Sequence, residues 1–118
     1  MVKALPAILA ALMLAGCATH QPAAGAAPRD VNGMKLEFAD LHSTNTYEFL
    51  PGGRYRFTAV SQNGLRADRR EGSFAYSPSG RTARISLDDE TLHLVFEDPA
   101  GGTCTVEGDV RRYHFRLG

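Results

Sequence analysis

The sequence predicts an all-β domain over residues 31–118, a small antiparallel meander of about eight strands forming a barrel or sandwich. Three observations predict it. From Asn32 onward apolar and polar residues alternate in short runs, and no window of helical length carries a 3.6-residue period. Clusters of Gly, Pro, Asn and Asp break the runs at a spacing of about 8–12 residues, the rhythm of an all-β chain. The breaks are also too short for the crossovers that parallel neighbours require, so each strand is expected to pair antiparallel with the next.

In chain order, Met34, Leu36 and Phe38 share one face of a first strand, and Tyr47 and Phe49 share one face of a second. Pro51-Gly52-Gly53 turns the chain into Tyr55-Phe57-Ala59, with Arg54, Arg56 and Thr58 on the other side. Asn63-Gly64 signals a two-residue hairpin, because both residues tolerate positive φ. The next strand changes parity: Leu65 and Ala67 are odd, Phe74 and Tyr76 even, and Gly72 between them predicts a bulge or break. Ser77-Pro78-Ser79-Gly80 turns again. Ala83-Ile85-Leu87, the Asp88-Asp89-Glu90 turn and Leu92-Leu94-Phe96 follow. Asp98 to Gly102 precedes Cys104-Val106, and Tyr113-Phe115-Leu117 closes the chain.

All the aromatic residues, four Tyr and six Phe, fall on the faces read as inward. Each ring can bury roughly 150–250 Å², and the interior of an eight-stranded barrel is just wide enough for side chains or one small ligand. The expectation is a filled core rather than a cavity. In Gly52-Gly53-Arg54-Tyr55-Arg56-Phe57 and Tyr113-His114-Phe115-Arg116-Leu117, the domain distantly resembles small lipocalin-like β-barrel lipoproteins.

The N-terminus reads differently. The amine and Lys3 precede an apolar run from Ala4 to Ala15, and small residues lead to Cys17, the layout of a secretory signal peptide over residues 1–16. The run is shorter than the ~20 residues that span a bilayer as a helix. Leu14-Ala15-Gly16-Cys17, placed at its end, resembles the lipobox of bacterial lipoproteins. That resemblance implies a diacylglycerol thioether on Cys17, cleavage after Gly16 and acylation (palmitate or a similar chain) of the new amine. One acyl chain holds a protein marginally, at about 0.8 kcal/mol per buried methylene, and two or three hold it durably. Ala18, where Asp would signal retention, implies by similarity to Gram-negative members an outer-membrane destination on the periplasmic face. Residues 17–30 carry Pro22, Gly25 and Pro28 and no large apolar side chain, and read as a lipidated terminus with a flexible tether.

Thirteen basic and thirteen acidic side chains leave no field that draws nucleic acid. Cys17 is assigned to lipid, so Cys104 has no partner within the chain and reads as a buried, inert thiol. GxSxG, HExxH, Ser-x-x-Lys and glycine-rich phosphate loops are all missing. His93 and His114 lie on outward positions near Glu97 and Glu107, without the spacing of a metal site. Asp88-Asp89-Glu90 and Glu97-Asp98 read as turn carboxylates, and Arg66 to Glu71 as a solvated edge whose charges discourage pairing. Arg54, Arg56, Arg112, His114 and Arg116 form an outward basic set for which cross-strand partners are expected. No catalytic residue, cofactor or metal is expected. The sequence thus predicts a monomeric, lipid-anchored envelope lipoprotein that acts as a non-catalytic interaction module for another envelope protein or surface. The alternatives are a lipocalin-like carrier of a small apolar ligand and an inhibitor or immunity-type protein directed at a cell-wall hydrolase.

Overall fold

The structure is a computed structural model that describes residues 26–118; the residues read as a signal peptide, Cys17 and most of those read as a tether lie outside the described residues. The described residues form nine strands: β1 (Lys35–Ala39), β2 (Ser43–Leu50), β3 (Arg54–Ser61), β4 (Ala67–Ser73), β5 (Ala75–Ser79), β6 (Thr82–Ser86), β7 (Thr91–Asp98), β8 (Gly101–Val106) and β9 (Tyr113–Leu117). All belong to one antiparallel sheet in the order β4-β3-β2-β1-β9-β8-β7-β6-β5. The fold is therefore all-β and a nearly closed barrel-like meander, not two stacked sheets.

The first and last strands meet in the middle of that order, with Leu36 opposite Leu117 and Phe38 opposite Phe115. Its two ends, β4 and β5, are consecutive in the chain and separated only by Phe74. They are halves of one bent strand: the first pairs with β3 and the second with β6. Counted together they make the expected eight, and the bend makes nine. The Phe74 N–H donates to the Gly53 carbonyl at 2.8 Å, one position beyond the Arg54–Ser73 pair of the β3–β4 ladder, before the chain passes to β6.

Three sequence expectations need correction. The parity change at Gly72 is absent. Arg70 opposes Phe57 and Gly72 opposes Tyr55 in unbroken register, so even-numbered residues face inward throughout β4, while Leu65 is exposed. The inward positions there are polar, which hid the alternation. The register shift lies instead between Phe96 and Asp98, opposite Gly102 and Gly101. The Asn63-Gly64 hairpin sets the expected register, but only Gly64 takes positive φ (74°). The Gly64 N–H donates to the Ser61 carbonyl and the Ser61 N–H to Arg66, giving a longer loop. Pro78 does not turn the chain either. It sits in β5 opposite Ala83, at an end of the sheet order where a missing N–H is tolerated.

Alternation fills the interior. Phe38, Tyr47, Phe49, Tyr55, Phe57, Phe96 and Phe115 are buried, and Phe74, Tyr76 and Tyr113 pack against them half-buried. Phe49 meets Phe74 at 4.8 Å between centroids, and Phe96 meets Phe115 edge-on at 5.2 Å. All the rings face the core, as the sequence predicts. Residues 26–34 lie against one end of the barrel. Ala27 N–H donates to Gly80 at 2.8 Å, Tyr76 donates to the Pro28 carbonyl at 2.6 Å, and Val31 is buried.

Candidate functional site at the barrel mouth

In a meander, alternate connections gather at the same end. The β2–β3, β5–β6 and β7–β8 turns share one end with residues 26–34. The β1–β2, β3–β4, β6–β7 and β8–β9 connections share the other, which is the mouth. The mouth loops touch one another: Gln62 donates to the Asp40 carbonyl through its side-chain amide (3.1 Å) and to His42 through its N–H (2.9 Å). Glu107 N–H reaches the Thr91 carbonyl at 2.8 Å.

Below these loops is a cleft of about 160 Å³, lined by Phe38, Asp40, Asn45, Tyr47, Phe57, Arg70, Glu90, Val106, Asp109 and Tyr113. One wall is a row across three strands. Tyr47 opposes Phe57, which opposes Arg70, so alternation puts all three on the inner face. The Tyr47 and Phe57 rings lie 4.7 Å apart. The Arg70 guanidinium stands 4.5 Å over the Phe57 ring, a cation–π distance, and reaches Asp89 and Glu90 at 3.4 Å each. Tyr47 donates to Glu90 Oε1 at 2.7 Å. Burial, with the Glu90 carboxylate next in size, pushes the Tyr47 hydroxyl pKa far up.

The opposite wall is held by short-range bonds. Asp40 Oδ1 accepts the N–H groups of His42 (2.7 Å) and Ser43 (2.8 Å), the local capping for which Asp is favoured in turns. Its Oδ2 accepts from the side-chain amide of buried Asn45 at 3.0 Å. Burial pulls the Asp40 pKa upward, but these hydrogen bonds, Asn45 foremost, outweigh it and hold the carboxyl below its ordinary value. Asp109 accepts the Arg111 N–H (2.9 Å) and the Tyr113 hydroxyl (2.9 Å), and these two bonds, in that order, lower its pKa. The Tyr113 ring stacks on Phe38 at 5.2 Å.

Above the cleft the loop tips are apolar and exposed: Leu41 (67%), Leu65 (81%) and Val110 (99%). Leu41 also borders an open groove of about 520 Å³ with Arg111, Arg112 and Tyr113. Another groove of about 430 Å³ lies on the outer wall around Ser77, Arg84, His93 and Val95.

The sequence-derived candidates are scattered by comparison. Cys17 lies outside the described residues. Cys104 is buried on β8, and burial pushes its thiol pKa up to about 12. His93 pairs with Glu107 at 3.2 Å. His93 faces Thr105 while His114 faces Thr103, so the sheet does not bring the two histidines side by side. Among the described residues no three His, Cys, Asp or Glu side chains cluster as metal ligands. Arg56 bridges Glu48 (3.1 Å) and Glu71 (3.6 Å), and Arg116 opposes Glu37, so part of the outward basic set has acidic neighbours. Arg112 belongs to a mouth loop rather than to a strand.

Sequence reasoning missed Arg70, Glu90, Asp109 and Asn45 as neighbours. Arg70 was within reach: counting back from Asn63-Gly64 places it opposite Phe57, on the inner face. Glu90 and Asp109 join the cleft only through loops distant in sequence. No protein-family model matches the chain, and no curated protein or solved structure matches it.

Proposed function

We propose that this protein is a lipoprotein anchored in the bacterial outer membrane through lipid on Cys17, whose barrel serves as a non-catalytic docking module for another envelope protein. One observation carries the reading. The interior is filled by rings, while the exposed apolar tips Leu41, Leu65 and Val110 crowd the end opposite the one residues 26–34 join. A chain tethered through its N-terminus would present that mouth outward from the anchor. Exposed apolar side chains gathered in one place mark interaction surfaces. The carrier reading ranks lower, because the cleft lined by the core rings Phe38, Tyr47 and Phe57 holds about 160 Å³, short of the ~300 Å³ of a usual ligand pocket. The inhibitor or immunity reading is a special case of docking and is favoured by the same protruding loops.

Two experiments test the parts separately. Cys17→Ala should abolish processing and outer-membrane fractionation; a cleaved, membrane-bound Cys17→Ala product would refute the anchor. A photo-crosslinking residue at position 41, 65 or 110 should capture a common envelope protein in cells, whereas one at position 84 on the outer wall should not. Equal capture at all four positions, or none, would refute docking through the mouth.

A further inference from the structure

β4 runs from the mouth tip Leu65 down toward the Asp88-Asp89-Glu90 turn, and its neighbours fix which way its backbone groups point. Along a strand, the N–H and C=O groups of successive residues point to alternate sides. Just before β4 the Arg66 carbonyl accepts the Ser61 N–H, and just after it the Phe74 N–H donates to the Gly53 carbonyl, so even-numbered residues face β3. Odd-numbered ones face away, and Ser73 N–H accordingly reaches Asp88 Oδ1 on the other side. The N–H and C=O groups of Ala67, Arg69 and Glu71 therefore line an open edge, and among the described residues they have no hydrogen-bond partner. No Cα atom of β4 lies within 8 Å of β6 or β7, whereas paired strands stand about 4.8 Å apart. The corresponding edge of β5 is blunted, because Pro78 has no N–H to offer.

We propose that this edge accepts an extended segment of a partner protein, added antiparallel to β4 as a further strand, with an acidic side chain followed directly by a basic one. That the segment belongs to a partner rests on the docking reading above. Three features select this occupant. Backbone donors and acceptors repeated at every second residue match the groups of another extended chain, the pairing used in strand addition. Leu65, 81% exposed, stands two residues before Ala67, so a segment along β4 continues the apolar surface of the mouth. The charges set its sequence. Arg69 on the outer face and Asp68 on the inner face are exposed, and among the described residues neither has an ion-pair partner within 4.0 Å. Glu71 is already held by Arg56 at 3.6 Å, and Arg70 by Asp89 and Glu90. Opposed residues of neighbouring strands share a face, so an antiparallel segment presents its acid to Arg69 and its next residue, a base, to Asp68. Charge on an edge discourages pairing, and here it turns away the strands that do not match it.

The test is amide hydrogen exchange of the full chain in detergent, read by NMR. The probes are the peptide acetyl-Thr-Thr-Glu-Lys-Val amide and its charge-exchanged form, acetyl-Thr-Thr-Lys-Glu-Val amide. Without peptide, the Arg69 and Glu71 amides should exchange fast and the Arg70 amide, which faces β3, slowly. The first peptide should protect Arg69 and Glu71 saturably, and the exchanged one should bind about tenfold more weakly, attraction having become repulsion. Arg69→Pro removes an N–H that no ladder uses, a change an edge strand tolerates, and should abolish the protection at Glu71. Arg69→Glu keeps the backbone and should weaken the first peptide by about tenfold as well. Amides of Arg69 and Glu71 protected before peptide is added, no saturable protection, equal binding of the two peptides, or undiminished binding in a folded variant would overturn the proposal. Mouth cross-links without peptide protection would leave docking standing and overturn strand addition. Peptide protection without cross-links would support the edge and overturn only its assignment to the docking partner.

Discussion

The hydroxyl of Tyr47 on β2 donates to Glu90 Oε1 at 2.7 Å, joining positions 43 residues apart. The same oxygen accepts from Arg70 at 3.4 Å. One carboxylate therefore ties the β6–β7 turn to strands β2 and β4, across the margin where the sheet order ends and no ladder closes the barrel. Ser73 N–H reaches Asp88 Oδ1 at 3.4 Å along the same margin. Side chains of the turn take the place of the missing strand pairing.

Tyr47→Phe keeps the buried ring and removes only that donor. The expected loss is about 1 kcal/mol, the usual net worth of a hydrogen bond, which lowers the thermal midpoint by about 4–8 °C in a domain of this size. An unchanged midpoint in differential scanning calorimetry would show that the bond does not help to close the margin.

A side chain at Gly72 would require the exposed Asp88 carboxylate to swing aside. A methyl group there would collide with the Asp88 carboxylate and press on Tyr55 Cε1 at 3.0 Å. Gly72→Ala is expected to cost about 1–3 kcal/mol, the range for overpacking. Adding Asp88→Ala removes the worse collision, so urea denaturation of the double variant should recover part of the loss. Simple additivity of the two substitutions would rule out the contact as the cause.

Phe57 is 6% exposed and touches both the Tyr47 ring and the Arg70 guanidinium. Phe57→Ala should destabilise the domain by about 3–5 kcal/mol, the cost of emptying a large aromatic site. A near-neutral result in chemical denaturation would mean that the ring is not part of the core.

Burial holds the Cys104 thiol protonated up to about pH 12, against 9.0 in its ordinary state. The native protein should therefore resist thiol reagents at pH 8 and react only after unfolding. The folded pKa is raised, so the unfolded chain loses the proton first. Stability contributed by the protonated thiol is complete below about pH 9 and falls as the pH climbs toward 12. Tyr76, raised by burial to about 12 from 10.0, acts in the same direction. Stability measured across pH 8–12 should decline, and Cys104→Ala should flatten the onset of that decline. Rapid labelling of the folded protein at pH 8 would contradict the buried placement.

The residues around the mouth mark where sequence reading stops working. Tyr47 and Phe57 could be placed on the inner face because strand side chains alternate with period two, and the Asn63-Gly64 turn registers the two strands. Arg70 follows from the same register, yet reads as solvated because it is charged. Its inward placement is tolerated because Phe57 and Glu90 receive its head and the cleft keeps it half in water. Glu90 and Asp109 carry no such local mark. Each sits in a connection whose own sequence satisfies ordinary turn chemistry.

Alternation, turn residues and ring positions, all readable along the chain, determined that this is a single all-β domain with its rings inside. They act between near neighbours, so a one-dimensional string is enough to reveal them. The neighbouring of the first and last strands, expected of a closed meander, is seen in the β1–β9 pairing; tertiary structure alone decided that β4 and β5 are one bent strand, and that four loops enclose a charged cleft. Those outcomes depend on strand stagger accumulated around the whole barrel, where a shift of one residue in any pairing moves every later side chain to the opposite face.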